Sequence, residues 1–165
     1  MHPEILTLEE AILRFGPGKR NGRRIVFTNG CFDLLHLGHI WCLEKARSLG
    51  DALIVGINSD GSVHQLKGEG RPAIPATERA EILSALECVD AVVIFDEPTP
   101  GEIIAKLLPD ILVKGGDWPT DQIVGRQEVE AAGGSVVLVP FLPGHSTTSI
   151  IRKIRDGAPT SRVEA

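Results

Sequence analysis

Two histidines three residues apart, His36 and His39, follow a predicted strand and open a predicted helix. At a helix start, side chains three positions apart lie on one face, so both imidazoles can donate hydrogen bonds to the same oxyanion. Gly30 allows a sharp turn beside a ligand, and Gly38 leaves room for a phosphate or a ribose near the helix N-terminus. An isolated pair of histidines is more often solvated or structural, but the strand, glycine turn and helix around this pair favour a triphosphate-binding site.

The elements that position this turn are predicted from apolar runs and their periodicity. Continuous apolar runs such as 52–57 suit strands that are buried on both faces of a parallel sheet. The predicted strands are 23–28, 52–57, 91–95, 111–113 and 135–139. The predicted helices are 6–15, 37–49, 77–86, 101–108, 121–132 and 146–155.

Strands that alternate with helices indicate an α/β protein, here a single doubly wound, Rossmann-like domain with an open, parallel, five-stranded sheet. Ligands bind such sheets beyond the carboxyl ends of the strands, which is where the turn at 30–39 is expected. The predicted organisation is a peripheral N-terminal helix and link at 1–22, one domain over 23–156 and a flexible tail at 157–165.

Composition limits which kinds of binding partner and which cellular compartments suit this chain. The chain has 165 residues, 42% of them hydrophobic, which suits one domain with a core large enough for a pocket. Because 17 basic residues face 22 acidic ones, the net charge of -5 disfavours nucleic acid, and any phosphate site must be local. Three cysteines without a CxxC spacing suit a reducing, cytoplasmic compartment. We find no signal peptide and no apolar run long enough for a membrane span.

A metal site is an alternative interpretation of the same turn. Cys31, His36, His39 and Cys42 offer soft ligands, although their spacing is not a standard zinc pattern. The spacing allows all four side chains to converge on one metal ion but does not require it. Cys42 is more simply explained as a small apolar residue packed against the sheet.

Several further segments accompany the histidine turn. Taken together they resemble the HxGH nucleotidyltransferase superfamily, and most closely the adenylyltransferases that make ADP-heptose. The resemblance extends from about Val26 to about Ile154, so 23–156 is identified as a nucleotidyltransferase domain. The segments that carry it, in the family's order, are Gly30 to His39, Asn58-Ser59-Asp60, Leu66-Lys67-Gly68, Arg71-Pro72, Val113 to Asp117, and Ser146 to Ile151.

The resemblance implies transfer of AMP from ATP to D-glycero-D-manno-heptose 1-phosphate, giving ADP-heptose and pyrophosphate. The attacking phosphate is already ionised, so in-line attack needs neither a covalent intermediate nor a general base. Mg²⁺ is expected as a cofactor carried by the triphosphate, with no metal site made by the protein alone. A separate sugar kinase would supply the acceptor, and a homodimer is expected because family members are often dimers.

The resemblance also implies roles for individual residues. The expected catalytic residues are His36, His39 and Lys67. The expected nucleotide-binding residues are Asn29, Gly30, Cys31, Phe32, Gly38, Lys114, Gly116, Asp117, Ser146, Thr147 and Thr148. More weakly implied acceptor-binding residues are Asp33, Asp60, Arg71 and Arg79.

Each role has a plainer alternative. Without the motif, Lys67 in its predicted loop at 65–70 would be read as a solvated charge. Arg79 could pair with Glu78 or Glu81 on the surface, and Asp33 could orient the turn by accepting backbone hydrogen bonds. The hydroxyls at 146–149 could be ordinary N-caps, which is compatible with phosphate binding.

Two departures from the family pattern leave the acceptor pocket open: His145 stands before the Ser-Thr-Thr run, and Trp118 follows Asp117. A cytidylyltransferase for a polyol or alcohol phosphate and a non-catalytic nucleotide-binding module remain as alternatives. A relation to aminoacyl-tRNA synthetases is disfavoured because this acidic chain has no room for a tRNA-binding domain. A dehydrogenase is disfavoured because no GxGxxG follows a strand.

Overall fold

The computed structural model of the protein describes residues 4–157, which form one layer of parallel strands between two layers of helices. The strands are β1 (Glu4–Leu6), β2 (Ile25–Gly30), β3 (Ala52–Asn58), β4 (Ala91–Phe95), β5 (Ile111–Gly115) and β6 (Ser135–Val139). The helices are α1 (Leu8–Phe15), α2 (Leu37–Arg47), α3 (Asp60–Lys67), α4 (Ala76–Ser84), α5 (Gly101–Leu107), α6 (Arg126–Ala131) and α7 (Thr147–Asp156). Their order in the sheet is β1-β4-β3-β2-β5-β6.

Two apolar cores lie on opposite faces of the sheet, because successive side chains of a strand point to opposite faces. Phe27 and Ile54 belong to the core beneath α1, α5 and α6, whereas Val26 and Val55 belong to the core beneath α2 and α4. All seven residues of β3 are buried, as the continuous apolar run predicts for a central strand. The doubly wound, parallel α/β architecture is therefore confirmed.

The sheet has six strands rather than the predicted five. The extra strand, β1, pairs in parallel with β4 at the sheet edge, with Ile5 opposite Val92. Three residues are too few to show a strand periodicity, so the sequence gives no signal for β1. The segment predicted as a peripheral helix and link also supplies Ala11 and Phe15 to the core. Of the predicted tail, residues 158–165 lie outside the described part of the chain.

Local differences from the predicted elements have local causes. Helix α3 was not predicted; Ser59 caps it by accepting a hydrogen bond from the amide of Ser62. The helix predicted over 121–132 is a short 3-10 turn, Thr120–Gln122, followed by α6, since Gly125 adopts a left-handed φ of 83° between them. None of the helices in the described part of the chain combines the length and apolar character that a membrane crossing requires.

Candidate active site

The strand order reverses between β2 and β5, so the loops that follow these neighbouring strands depart in opposite directions and leave a crevice at the carboxyl edge. The crevice is a cleft of about 640 Å³, which we call the phosphate cleft. Four separate segments line it: the turn after β2, the end of α3 with its following loop, the end of β5, and the connection from β6 into α7. Among the lining residues are Asn29, Gly30, Cys31, Phe32, Asp33, His36, Gly38, His39, Lys67, Arg71, Ser146, Thr147 and Thr148.

The sequence suggests that the turn after β2 bends at Gly30, but the structure places the bend elsewhere. Strand β2 continues through Gly30, which pairs with Ile57 of β3, and the left-handed residue is Phe32 with a φ of 46°. A Cβ on Gly30 would lie 3.0 Å from the Phe32 ring. Gly30 therefore gives room to a buried aromatic ring that folds back on the strand end, which is a packing role.

The two histidine rings stack on each other, with centroids 3.8 Å apart and planes inclined by 23°. They share one side of the start of α2, as their spacing predicts. His36 is the N-cap of α2, and its Nδ1 accepts a hydrogen bond of 3.1 Å from the amide of Gly38. Because Nδ1 is the acceptor, the proton of the neutral imidazole sits on Nε2. His36 therefore presents a donor rather than an acceptor at Nε2.

Both imidazoles favour the neutral form. Burial, followed by the neighbouring His36, lowers the pKa of His39 to about 4, and burial with a smaller contribution from His145 lowers the pKa of His36. His39 Nδ1 is a fully buried nitrogen without a hydrogen-bond partner in residues 4–157. The two histidines that line the cleft are thus neutral, so positive charge in the cleft must come from other residues.

Helix α7 starts beside the start of α2. Ser146 caps α7 by accepting a hydrogen bond of 3.1 Å from the amide of Ser149, and Thr147 Oγ1 donates to the carbonyl of Leu34 at 3.3 Å. A Cβ on Gly38 would lie 3.2 Å from Cβ of His145, so the glycine permits this close approach. Two helix N-termini consequently open on one cleft, and unpaired backbone amides at both ends favour an anion.

Two cationic side chains stand opposite these helix starts. The sequence predicts that Lys67 lies in a loop, but it is the last residue of α3. The helix ends at Gly68, which has a φ of 87°. Arg71 pairs with Asp33 through a hydrogen bond of 2.6 Å from Nε. Both side chains line the phosphate cleft.

Asp33 is an organiser of the loop that carries Arg71. Its carboxylate is buried and accepts hydrogen bonds from Arg71 Nε and from the amides of Ala73 and Ile74, at 2.8 and 3.1 Å. The predicted backbone contacts of Asp33 are therefore present, although they orient the loop at 71–74 rather than its own turn. This leaves Arg71 fixed in direction at the mouth of the cleft.

Arg79 and Asp60 lie outside the residues that line the cleft. Arg79 is only 1% exposed, which rules out the surface pairing with Glu78 or Glu81. Its guanidinium donates to Asp60 and to three backbone carbonyls, those of Cys31, Asn58 and Ile74. Arg79 thereby ties the histidine turn, the end of β3, the start of α3 and the loop before α4 to one another.

The predicted nucleotide-binding residues at the end of β5 and just after it, Lys114, Gly116 and Asp117, are not among the residues that line the cleft. Lys114 donates to Asn29 Oδ1, and burial lowers the pKa of Lys114 to about 8. Gly116 has a φ of 101°, and a Cβ there would lie 2.5 Å from the ring of Phe141. Asp117 is exposed, and the indole of the neighbouring Trp118 donates to the carbonyl of Gly115 at 3.0 Å.

Sequence reasoning missed the segment at 140–144, which forms one wall of the cleft. Phe141 is 74% exposed there, a high value for an aromatic residue, and His145 follows at the entry to α7. Pro140, Pro143 and Gly144 mark this segment as a loop, but only its position between β6 and α7 relates it to the histidines.

The alternative metal site is not supported by the geometry. Within residues 4–157, no group of three or more histidine, cysteine, aspartate or glutamate side chains is arranged to hold a metal ion. The thiol of Cys31 is directed at Asn58 Oδ1, 3.8 Å away, and Cys42 packs with the apolar core beneath α2. Burial raises the pKa of both thiols, which further disfavours thiolate ligands.

Known proteins resemble this chain over most of its length. "Bifunctional protein HldE" of Geotalea uraniireducens (strain Rf4) is 59% identical over 140 residues, which are 85% of this chain and 29% of that protein. The protein of the same name from Citrifermentans bemidjiense is 61% identical over 133 residues, 81% of this chain and 27% of that protein. The chain thus spans less than a third of the length of these relatives.

Solved structures agree with this relationship. The lipopolysaccharide core biosynthesis protein from Thermoplasma volcanium GSS1 is 30% identical, with a TM-score of 0.60 over 73% of this chain and 98% of that one. Pantoate-beta-alanine ligase from Francisella tularensis is 17% identical, with a TM-score of 0.61 over 90% and 76% of the two chains, a likeness of fold alone. The cytidylyltransferase-like family profile matches residues 27–153, which confirms the resemblance to nucleotidyltransferases predicted from the sequence. The chain belongs to the cytidylyltransferase-like family.

Proposed function

We propose that the protein is an adenylyltransferase that transfers AMP from ATP to D-glycero-D-manno-heptose 1-phosphate, with release of pyrophosphate. The observation that carries this proposal is the convergence of stacked imidazoles, two helix N-termini and two cationic side chains on one cleft at the strand ends. Such a set of donors suits a triphosphate, whose charge is spread over many oxygens. The identity of the acceptor rests on the similarity to the HldE proteins.

The chemistry asks the protein for alignment and charge neutralisation. A phosphate oxygen of the acceptor attacks the α-phosphorus of ATP, the bond to the bridging oxygen breaks in line, and that oxygen leaves with pyrophosphate. His36, protonated at Nε2, and His39 donate hydrogen bonds to the triphosphate as its charge redistributes. The amides at the start of α7, with the hydroxyl of Thr148, hold the departing phosphates, while the hydroxyl of Thr147 is donated to the carbonyl of Leu34.

Lys67 and Arg71 supply the positive charge that the neutral imidazoles do not. Lys67 is exposed and sits at a helix end next to a glycine, so its ammonium can follow the transferring phosphate. Arg71 is held in direction by Asp33 and offers its remaining N–H groups to a phosphate. We assign Lys67 to transition-state stabilisation and Arg71 to the acceptor.

Mg²⁺ fits this site as an ion bound mainly by the nucleotide. Asp33 is the one carboxylate among the described residues lining the cleft, and both of its oxygens accept hydrogen bonds from the protein. Bound with the nucleotide, Mg²⁺ would supply positive charge that offsets the charge of the phosphates. The protein's own part is to orient those oxygens with the histidines and the helix starts.

The cellular setting follows from the same assignment. A heptose 1-phosphate must be supplied by a sugar kinase, which in this proposal is a catalytic unit separate from the domain described above. We expect the enzyme to act in the cytoplasm, where ATP is available, and to form a homodimer. Size-exclusion chromatography with light scattering measures the oligomeric state directly.

The proposal is tested by measuring pyrophosphate release from ATP, Mg²⁺ and heptose 1-phosphate. We expect release only when both substrates are present, together with ADP-heptose in equal amount. Absence of release with active controls for the coupling enzymes would refute the acceptor assignment.

A cytidylyltransferase is the second candidate, because the matching family is described as cytidylyltransferase-like. The same turn and helix starts bind the phosphates of either nucleotide. A panel with ATP and CTP against heptose 1-phosphate and glycerol 3-phosphate separates the two reactions. Turnover with CTP and glycerol 3-phosphate, but not with ATP and the heptose, would favour this second candidate.

A further inference from the structure

The floor of the phosphate cleft is a fork between two strands. The backbone pairing of β2 with β5 ends at Thr28 and Val113, whereas β2 stays paired with β3 up to Gly30. Strand β5 likewise stays paired with β6 beyond this point, up to Gly115 opposite Val139. Strands β2 and β5 therefore part immediately after their last paired residues.

One hydrogen bond between side chains bridges the fork. Asn29 and Lys114 are the next residues of β2 and β5, and Lys114 Nζ donates to Asn29 Oδ1. Both side chains are on the sheet face that carries α1, α5 and α6, because Phe27 and Leu112, two residues earlier on each strand, belong to the core on that face. We call this pair the Asn29–Lys114 bridge.

The bridge determines which end of the Asn29 amide faces the substrate. An ammonium group has three donors and no acceptor, so only the oxygen of the carboxamide can face Lys114. The donor chemistry of Lys114 thereby fixes the orientation of the Asn29 carboxamide. Its NH₂ group must point away from Lys114.

The side-chain nitrogen of Asn29 has no hydrogen-bond partner among the described residues and is not fully buried. Asn29 lines the phosphate cleft, and its nitrogen makes no hydrogen bond within residues 4–157. The nitrogen is also not sealed in the interior, since His39 Nδ1 is the fully buried side-chain atom left without a partner in that range. A donor that the protein leaves unused in a substrate cleft is available to an oxygen of the ligand.

We propose that Lys114 is a positioning residue that holds the carboxamide of Asn29 with its NH₂ group toward the cleft, where it donates a hydrogen bond to a substrate oxygen. This inference rests on the proposed function and deepens it: Lys114 acts through Asn29 rather than by touching the nucleotide. The oxygen can belong to ATP or to the sugar phosphate, and the two sources are distinguished by measurement.

The test compares wild type with three variants that separate shape, hydrogen bonding and charge. Lys114→Gln keeps a donor for Asn29 Oδ1 without the charge, and Lys114→Met keeps the length without the donor. Asn29→Asp keeps a partner for Lys114 but turns an oxygen, not an NH₂ group, toward the cleft. Thermal unfolding establishes whether each variant is folded. If Lys114→Met does not fold, Asn29→Asp still tests the proposal.

Two readouts are needed for each variant: the Kd of a non-hydrolysable ATP analogue with Mg²⁺, and the KM for each substrate in pyrophosphate release. We expect Lys114→Gln to stay within about threefold of wild type, and Lys114→Met and Asn29→Asp to weaken one substrate by about tenfold or more. A change in the Kd of the analogue and in the KM for ATP assigns the oxygen to the nucleotide. A change confined to the KM for the sugar phosphate assigns it to the acceptor.

Two results would overturn the inference: Asn29→Asp binding and turning over both substrates like wild type, or Lys114→Gln being as impaired as Lys114→Met. Failure of the proposed function has a different signature. In that case wild type releases no pyrophosphate, while the Kd of the ATP analogue still reports on the bridge through the same variants. Loss of analogue binding in wild type as well would remove both proposals.

Discussion

Two clefts open at the carboxyl edge of the same sheet, and they differ in charge far more than in size. The phosphate cleft has a volume of about 640 Å³ and the second, beyond β1 and β4, about 510 Å³. The second cleft, which we call the acidic cleft, is lined by Glu9, Glu10, Asp96, Glu97 and Glu102. Its one lining cation, Lys106, pairs with Glu102 at 2.6 Å.

The contrast shows that a position at the strand ends and a similar volume do not by themselves give a cleft the charge that a phosphate requires. In the phosphate cleft Asp33, the one carboxylate among the described lining residues, is paired with Arg71, and Lys67 adds a second cation. In the acidic cleft several carboxylates would repel a triphosphate at close range. The net charge of -5 hides this difference, because it averages over the whole chain.

The two clefts also differ in how they are assembled. The acidic cleft comes from the ends of β1 and β4 with the starts of α1 and α5. The phosphate cleft draws on four segments between Thr28 and Ser149, and buried side chains hold these together. Arg79 and Asp33 are the clearest of these ties, since each contacts more than one segment.

Of the changes that would test the difference between the two clefts, we expect the largest effect from removing a hydrogen-bond donor from the phosphate cleft. We expect His39→Ala to lower kcat/KM by about 10²–10³-fold, since the variant loses a hydrogen-bond donor to the developing charge. Steady-state pyrophosphate release measures this loss. The matched control is His64→Ala, an exposed histidine of α3 outside the cleft, which should stay within about twofold. Equal activity of the two variants would contradict the assignment of His39.

The next largest effect is expected from a tie beneath the cleft. Arg79→Met leaves the carbonyls of Cys31, Asn58 and Ile74 without their donor, so we expect a loss of about 3 kcal/mol in the free energy of unfolding. Urea unfolding followed by circular dichroism measures it. Arg126→Met on α6, whose partner Glu130 is exposed, serves as the control and should cost under about 1 kcal/mol. A similar loss in both would contradict the organising role.

Lys67 is expected to affect turnover more than binding. Lys67→Ala should lower kcat by about tenfold or more while the KM for ATP stays within about threefold, because its charge is needed as the phosphate transfers. Single-turnover kinetics separates the chemical step from binding. Lys45→Ala, which removes a lysine stacked on Trp41 of α2, is the control and should match wild type. Unchanged kcat in Lys67→Ala would favour a non-catalytic nucleotide-binding module.

The neutral histidines also predict a pH dependence of stability. The pKa of His39 is about 4 in the folded protein and near 6.5 when unfolded, so the unfolded chain binds more protons between these values. Stability from this residue is therefore present above pH 6.5 and is lost as the pH falls toward 4. Urea unfolding at pH 7, 5.5 and 4.5 should give a smaller acid loss for His39→Gln than for wild type. Parallel curves would show that His39 is already free to take up a proton.

The smallest effect is expected in the acidic cleft. Glu9→Gln and Glu97→Gln, alone or together, should leave pyrophosphate release within about twofold of wild type. The charge they remove lies away from the reacting phosphates, at the other end of the strand order. A large change in the KM for either substrate would mean that the two clefts share a ligand.

Local patterns were enough to predict the histidine pair, the cap of α7 and most strands. His36 caps α2 and His39 lies in its first turn, so the two rings meet through contacts within one short segment. Ser146 caps the helix that follows it, which again depends only on neighbours in sequence. These features were predictable because the interacting atoms belong to one short segment.

Features that depend on distant segments could not be predicted in this way. Strand β1 forms because it pairs with the edge of β4. Lys67 belongs to α3, and the capping residue Ser59 alone was too weak a signal to predict that helix. The bend assigned to Gly30 occurs at Phe32, whose ring packs over the strand end. Each of these outcomes was decided by packing rather than by local preference.

By itself, the sequence determined the α/β class, the family signature and the chemical types gathered at the histidine turn, because periodicity and spacing act within single elements. Only the tertiary structure decided that Arg79 and Lys114 lie outside the residues that line the cleft, and that the segment at 140–144 forms one wall. The physical reason is that burial and hydrogen-bond partners arise between segments that are as many as 113 residues apart in the chain, as Thr147 and Leu34 are.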